Sequence, residues 1–318
     1  MESAFQSIFA LIIITQVIFG NLSNGFIVVV NCMHWIKTRT LSSVDQILNL
    51  LAISRTGLIW VMAIHWFRTL HHPPLLMAET QVRIFTSAWV LSNHFGFWFA
   101  AILSIFYLLR IASFSNPTFL YLKWRVKKVI LMIQLGTLIF LLLNLLTINI
   151  YVSDWIHQYE GNATWDSRVS GFSTLSQLSL LTMTIFSLMP FTAALISFFL
   201  LIFSLWKHLQ RIKSNSKGHR DPRTEAHINA LKTVTSFLLL HVSFFLCLMV
   251  ASIPSIHQDP LLHSVCQTLA MIYPSGHSFI LILGNPKLRQ TLFLMLQQLW
   301  CGLKGTPNSV NHSDHRLT

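Results

Sequence analysis

Val129-Ile-Leu-Met-Ile-Gln-Leu-Gly-Thr-Leu-Ile-Phe-Leu-Leu-Leu-Asn-Leu-Leu-Thr-Ile-Asn-Ile150 contains no ionisable side chain and follows directly on Arg125, Lys127 and Lys128. At about 1.5 Å of rise per residue, a helix of this length covers the ~30 Å hydrocarbon core of a bilayer. Lipid offers no partner to a bare peptide group, so a spanning stretch of this kind has to be a helix. Six more runs share its character, at 7–30, 47–67, 87–109, 183–206, 233–253 and 263–283, and none of the seven contains Asp or Glu.

The charges between the runs set their direction. Lys37 and Arg39 follow the first run, and Arg110, Lys123, Arg125, Lys127 and Lys128 lie between the third and fourth. Seven Lys and Arg occupy 207–232, and Lys287, Arg289, Lys304 and Arg316 follow the seventh run. These alternate connections hold 18 of the 22 Lys and Arg. The other side has only Arg68, Arg83 and Arg168, while Arg55 lies inside the second run. Basic residues stay cytoplasmic, so the expectation is an all-α bundle of seven transmembrane helices with the N-terminus outside and the C-terminus cytosolic. With 53% hydrophobic and 10% charged residues, 1–318 is expected to be a single seven-helix bundle with a short cytosolic tail from about 284.

This topology also accounts for the net charge of +12. The excess of bases belongs to one membrane face, which suits inner-leaflet lipid and an acidic cytosolic partner rather than nucleic acid. Residues 7–30 have no basic segment before them and no small-residue cleavage site after them, so the run is expected to remain as a span. Cys32, Cys247 and Cys266 sit in or at the ends of runs, where a thiol is usually a small apolar filler. Cys301 reads as a free cytosolic thiol, with palmitoylation as the alternative. The 151–182 connection has no Cys, so no disulfide restrains it. Its Asn162-Ala-Thr164 is a glycosylation acceptor on the expected lumenal side.

Asp221-Pro-Arg-Thr-Glu225 reads as a helix start, with Asp as cap, Pro in the first turn and Glu at the positive end of the dipole. After Asn285-Pro286, Leu288, Leu292, Leu296 and Leu299 form one stripe, as expected for a helix lying on the inner leaflet.

Catalytic chemistry finds little support. The 15 His are scattered, without the spacing that puts two metal ligands on one helix face, and no nucleophile elbow, phosphate loop or carboxylate pair occurs. No metal site and no cofactor are expected. Arg55 is the one ionised residue within a run. It is expected to be structural, donating to Asn24, Asn49 or backbone carbonyls, since one Arg without a carboxylate partner is poor equipment for an ion relay. The outer half of the bundle is rich in aromatics with a few neutral hydrogen-bonding groups. Trp89 and Asn93 share a face of the third run, Trp66 ends the second, and Phe186 lies four before Pro190. Phe244 and Leu248 are four apart, as are Gln267 and Met271. A cavity lined in this way suits small amphipathic molecules and lacks a carboxylate for a cationic amine.

The chain resembles the type 2 bitter taste receptors, seven-helix G-protein-coupled receptors, over roughly residues 1–300. The likeness rests on Gly20-Asn-Leu-Ser-Asn-Gly-Phe-Ile27, Leu50-Leu-Ala-Ile-Ser-Arg55, and Phe106-Tyr-Leu-Leu-Arg-Ile-Ala-Ser-Phe-Ser115 with Phe119-Leu-Tyr-Leu-Lys-Trp-Arg125. It continues in Leu200-Leu-Ile-Phe-Ser-Leu-Trp-Lys-His208, Asp221-Pro-Arg-Thr-Glu-Ala-His227 and His277-Ser-Phe-Ile-Leu-Ile-Leu-Gly-Asn-Pro-Lys287. The resemblance implies a plasma-membrane receptor that binds bitter agonists and activates a heterotrimeric G protein with a gustducin-like α subunit. It implies ligand contact at Trp89, Asn93 and the region of Gln267. The candidate inner contact surface is Arg110, Lys123, Arg125, Lys207, Arg211 and Lys213. The family commonly has Tyr where this chain has His241. The rival reading of a transporter or channel would be excluded by agonist-dependent calcium signalling in cells co-expressing a chimeric G protein. A membrane-embedded enzyme would need a metal or nucleophile constellation that the sequence does not show.

The topology predicts a glycosidase-sensitive mass shift that disappears in Asn162→Gln. It also predicts that an epitope placed after Leu303 is reached by antibody only in permeabilised cells. Labelling of that epitope on intact cells would reverse the orientation.

Overall fold

The computed structural model of the chain describes residues 2–71, 79–112, 114–159, 165–215, 222–253 and 260–304. The glycosylation acceptor Asn162 and the expected cap Asp221 lie outside them. The described helices are α1 (Glu2–Thr38), α2 (Ser43–His71), α3 (Glu79–Ile111), α4 (Pro117–Trp124), α5 (Val126–Tyr159), α6 (Trp165–Asn215), α7 (Pro222–Ala251), α8 (Pro260–Gly284) and α9 (Pro286–Lys304). No strand occurs among the described residues. Seven of these helices, all but α4 and α9, contain a stretch long and apolar enough to cross a membrane.

The helices overrun the apolar runs. The connection expected at 151–182 is almost wholly helix, because α5 continues to Tyr159 and α6 begins at Trp165. The polar 207–232 stretch is likewise largely the ends of α6 and α7. A helix closes its own backbone hydrogen bonds and continues into water until a breaker stops it, so the apolar run marks only the lipid-covered section. The short α4 starts where Asn116 accepts a hydrogen bond from the Thr118 amide at 2.8 Å, with Pro117 in the first turn. Lys123, expected on the G-protein surface, donates to the Ala112 carbonyl at 2.8 Å and so closes the end of α3.

The most deeply buried span is α3, packed against α2, α5 and α6. One apolar cluster fills the end of the bundle where most Lys and Arg lie, with Ile27, Leu51, Ile102, Phe198, Phe237 and Leu281 among its members. A second fills the other end, around Ile13, Ile59, Phe97, Phe244, Met271 and Tyr273. In lipid such contacts gain dispersion energy and close fit rather than escape from water, so helices that meet tightly need small residues at the crossing. Gly20 is one. A Cβ there would lie 2.6 Å from Ile59 Cδ1 and 2.8 Å from Ser275 Oγ, so α1, α2 and α8 meet where only a hydrogen fits.

Polar ties fix the register of α1, α2 and α8. Arg55 on α2 is fully buried, donates from Nη1 to Ser278 Oγ at 3.2 Å and lies 5.3 Å from the centre of the Tyr273 ring. Ser278 in turn donates to Asn24 Oδ1 at 2.6 Å. Asn24 Nδ2 donates to the carbonyls of Gly20 at 2.8 Å and Pro274 at 3.2 Å. The expected link from Arg55 to Asn24 therefore runs through a serine on α8. Asn49 belongs to a second group: it accepts from Asn31 at 2.9 Å, and Lys287 donates to Asn31 at 3.1 Å and to Asp45 at 3.3 Å. That group ties α9 to α1 and α2. Leu288 of α9 is fully buried, whereas Leu296 and Leu299 are exposed along the same stripe.

Arg55→Ala should lower both thermal stability and surface density, since each buried acceptor left unpaired costs about 1–3 kcal/mol. Ser278→Ala should do the same more mildly. Normal surface density with signalling selectively lost would assign Arg55 to switching rather than to architecture.

Candidate functional site

At the end opposite most of the Lys and Arg, α2, α3, α6, α7 and α8 enclose a cavity. Its walls include Leu58, Met62 and His65 from α2, Trp89 and Asn93 from α3, and Ser176 and Leu180 from α6. Phe244, Cys247, Leu248 and Ala251 come from α7, and Cys266, Gln267 and Ala270 from α8. Its volume is about 60 Å³, space for a few water molecules at ~10–15 Å³ each on the same measure. A drug-sized guest needs side chains to move aside. The lining is mostly apolar and contains no carboxylate.

Four of the six expected ligand residues meet here: Trp89, Asn93, Phe244 and Gln267. Trp89 stands at the centre of a ring group with His65 at 5.3 Å and Phe85 at 5.8 Å, both edge-to-face. Asn93 is buried and donates from Nδ2 to Ser187 Oγ on α6 at 3.1 Å, while its Oδ1 has no protein partner. A buried acceptor without a partner is costly, and in a cavity wall it suits a guest that donates an N–H or O–H. Gln267 Nε2 donates to the Met62 carbonyl at 3.1 Å, tying α8 to α2 across the cavity. Trp66 instead packs against the apolar cluster that contains Leu58, Met62 and Phe244 without lining the cavity, and Phe186 is half-buried on α6 away from the lining.

Several wall residues carry no signal in the sequence. Leu58, Met62 and Ala270 are ordinary apolar residues, and nothing in their spacing separates a cavity wall from a helix contact. Cys247 and Cys266, read as fillers, both line the cavity as free thiols.

Beneath the cavity lies a layer of rings. Phe244 stacks on Tyr273 at 4.7 Å and 13°, and Phe191 stacks on Phe245 at 3.9 Å and 10°. His241 sits against Phe191 at 5.4 Å, Phe97 at 5.3 Å and Tyr273 at 5.9 Å. Tyr273 is also the ring beside Arg55. Cavity, ring layer and Arg55 network are thus in continuous contact across α2, α3, α6, α7 and α8.

At the other end the expected contact residues are dispersed. Arg110 is exposed, 6.0 Å from the Phe106 ring, and lines a cleft shared with α2 and α5. Arg125 lies 5.1 Å from the Tyr121 ring, and Lys123 is engaged at Ala112. Lys207 is exposed on α6; of Arg211 and Lys213 only the helical backbone is described. Two of the sparse cations of the cavity end act as helix clips. Arg83 donates to Asn149 and Ser153 on α5, both at 3.2 Å, and Arg68 donates to Gln81 on α3 at 3.2 Å.

Comparison with known proteins agrees with this architecture. The family described as Taste receptor protein (TAS2R) matches residues 1–300. Taste receptor type 2 member 13 of Papio hamadryas is 58% identical over 94% of this chain and 99% of its own length. The protein of the same name from Homo sapiens is 56% identical over the same shares. That from Mus musculus is 52% identical over 96% of this chain and all of its own. Seven membrane-length helices, a mostly apolar cavity enclosed by five of them and similarity along nearly the whole length lead to one assignment: the chain belongs to the type 2 taste receptor family and is a multi-pass membrane receptor, not an enzyme.

Proposed function

We propose that bitter small molecules bind in the cavity between Trp89, Asn93, Phe244 and Gln267, and that binding drives a heterotrimeric G protein at the opposite, basic end of the bundle. Receptor function itself follows from the family; the cavity's mostly apolar, carboxylate-free lining carries the choice of ligand class. The chain is read as one receptor unit in the plasma membrane, N-terminus outside and tail cytosolic, with Asn162 glycosylated and a gustducin-like α subunit as partner.

The proposed mechanism starts from how little room the cavity has. A guest larger than a few waters must displace wall side chains, and Phe244 is both wall and ring-layer member. Moving it disturbs the stack on Tyr273, the ring beside Arg55. A ligand shifts the balance between two states only through better contacts in one of them, so a guest that fits the widened cavity favours the rearranged ring layer. The altered packing of α7 and α8 then reaches the basic end, where Arg110, Arg125, Lys207, Arg211 and Lys213 offer positive charge to an acidic partner. Lys123 contributes indirectly by holding the end of α3.

Asn93→Ala should remove one hydrogen bond worth about 0.5–1.5 kcal/mol, or up to roughly tenfold in agonist potency. Trp89→Ala should cost more, through lost contact area and ring packing. Both losses should vary between chemically unrelated agonists when dose–response curves are normalised to surface receptor. Equal potency ratios for every agonist in both variants would refute the pocket assignment. Phe244→Leu should depress the maximal response to all agonists at unchanged surface density, because it interrupts the stack on Tyr273 while leaving the wall apolar. An undiminished maximum would remove Phe244 from the path.

A further inference from the structure

The larger of the two cavities described lies at the basic end and faces sideways. It is a cleft of about 660 Å³ between the start of α2, the end of α3 and the start of α5. Its deep wall holds Ile47, Phe106 and Ile130, which are buried, while Leu50 and Leu131 at its sides are exposed. Exposed leucines on membrane spans face hydrocarbon, so the cleft opens to lipid rather than to the bundle axis. Its upper rim is different: Arg110 and Lys127 are exposed cations at the last turn of α3 and the first turn of α5. Ser42, Ser43 and Gln46 add neutral polar groups beside them. The first turns of α2 and α5 both border this rim, so their amide ends reinforce its positive character. Asp45, the acid of that α2 turn, is turned away to Lys287.

We infer that this cleft is a binding site for an anionic phospholipid of the facing leaflet, its phosphate held between Arg110 and Lys127 and its acyl chain lying on Leu50, Ile130 and Leu131. Charge and depth select this occupant. The two cations sit where span meets headgroup layer, and the apolar trough below them runs into the hydrocarbon. A sterol would leave both cations unanswered. A free phosphate would leave the trough unused. The inference rests on the reading of the basic end as cytoplasmic only in naming the leaflet; the binding chemistry is the same in either orientation. Arg110 is also a candidate G-protein contact, so Lys127, which is not, carries the test.

Purified full-length receptor is incubated with palmitoyl-oleoyl phosphatidic acid or the phosphatidylcholine of the same chains, and retained lipid is counted by native mass spectrometry. Phosphatidic acid should be retained preferentially, and Lys127→Gln should lower that preference about fivefold, the share expected of one cation near the headgroups. Lys128→Gln, which removes a neighbouring exposed cation outside the cleft, should leave it unchanged. Leu131→Asn should weaken retention of both lipids. Equal retention of the two lipids by the unaltered receptor overturns the inference. So does an equal effect of the Lys127 and Lys128 variants, which would indicate diffuse surface charge, or full displacement by inorganic phosphate, which would indicate an ion site without a lipid trough. None of these outcomes bears on the agonist cavity, which dose–response curves test separately.

Discussion

A guanidinium at the centre of an apolar bundle, with no Asp or Glu in any of the seven runs, is the constraint around which α1, α2 and α8 are arranged. A charge removed from water costs several kcal/mol even after the surroundings relax, unless its donors are met. Arg55 is met in part: Nη1 donates to Ser278 and the guanidinium lies over Tyr273, both on α8. Its Nε and Nη2 have no hydrogen-bond partner among the described residues, and Ser278 donates to Asn24 on α1. These partners have short reach or a fixed plane, so they set how far apart the three helices stand. Gly20, with no room for a Cβ, is the matching condition on α1. Lysine at position 55 would not substitute, since a point charge cannot lie flat on a ring.

The same arrangement joins architecture to signalling. Tyr273 belongs at once to the Arg55 network and to the ring layer under the cavity. Tightly packed rings do not deform gradually; they change partners or remain as they are. In the proposed mechanism, different guests act alike provided each displaces the same few rings.

Much of this was legible in the sequence. Span number follows from run length, whereas the short α4 between the third and fourth spans was not anticipated, because the apolar runs pass over it. Helix ends were less legible, because hydropathy records where lipid is and not where hydrogen bonding stops. The site was half legible. Trp89 and Asn93 share a face by spacing alone, but Trp66 and Phe186 were placed from single-helix position, which does not fix how a helix faces its neighbours, and both fall outside the lining. Leu58, Met62, Cys247 and Cys266 line it instead. Ser278 as the partner of Arg55 had no signal at all, since a serine in a helix most often bonds its own backbone.

The length of α6 has a mechanical consequence. Its 51 residues include Pro190, which lacks the amide that would tie it to the preceding turn. The segment from there to Asn215 is about 37 Å long at 1.5 Å per residue. A bend of about 5° at the proline thus carries the far tip roughly 3 Å sideways over that arm, while side chains next to the pivot, Phe191 among them, move only by fractions of an ångström. In such a bend, displacements too small to expel a ring from its neighbours would become a lateral stroke comparable to an atom's diameter at the distal end, with the fulcrum written into the chain as one imino acid.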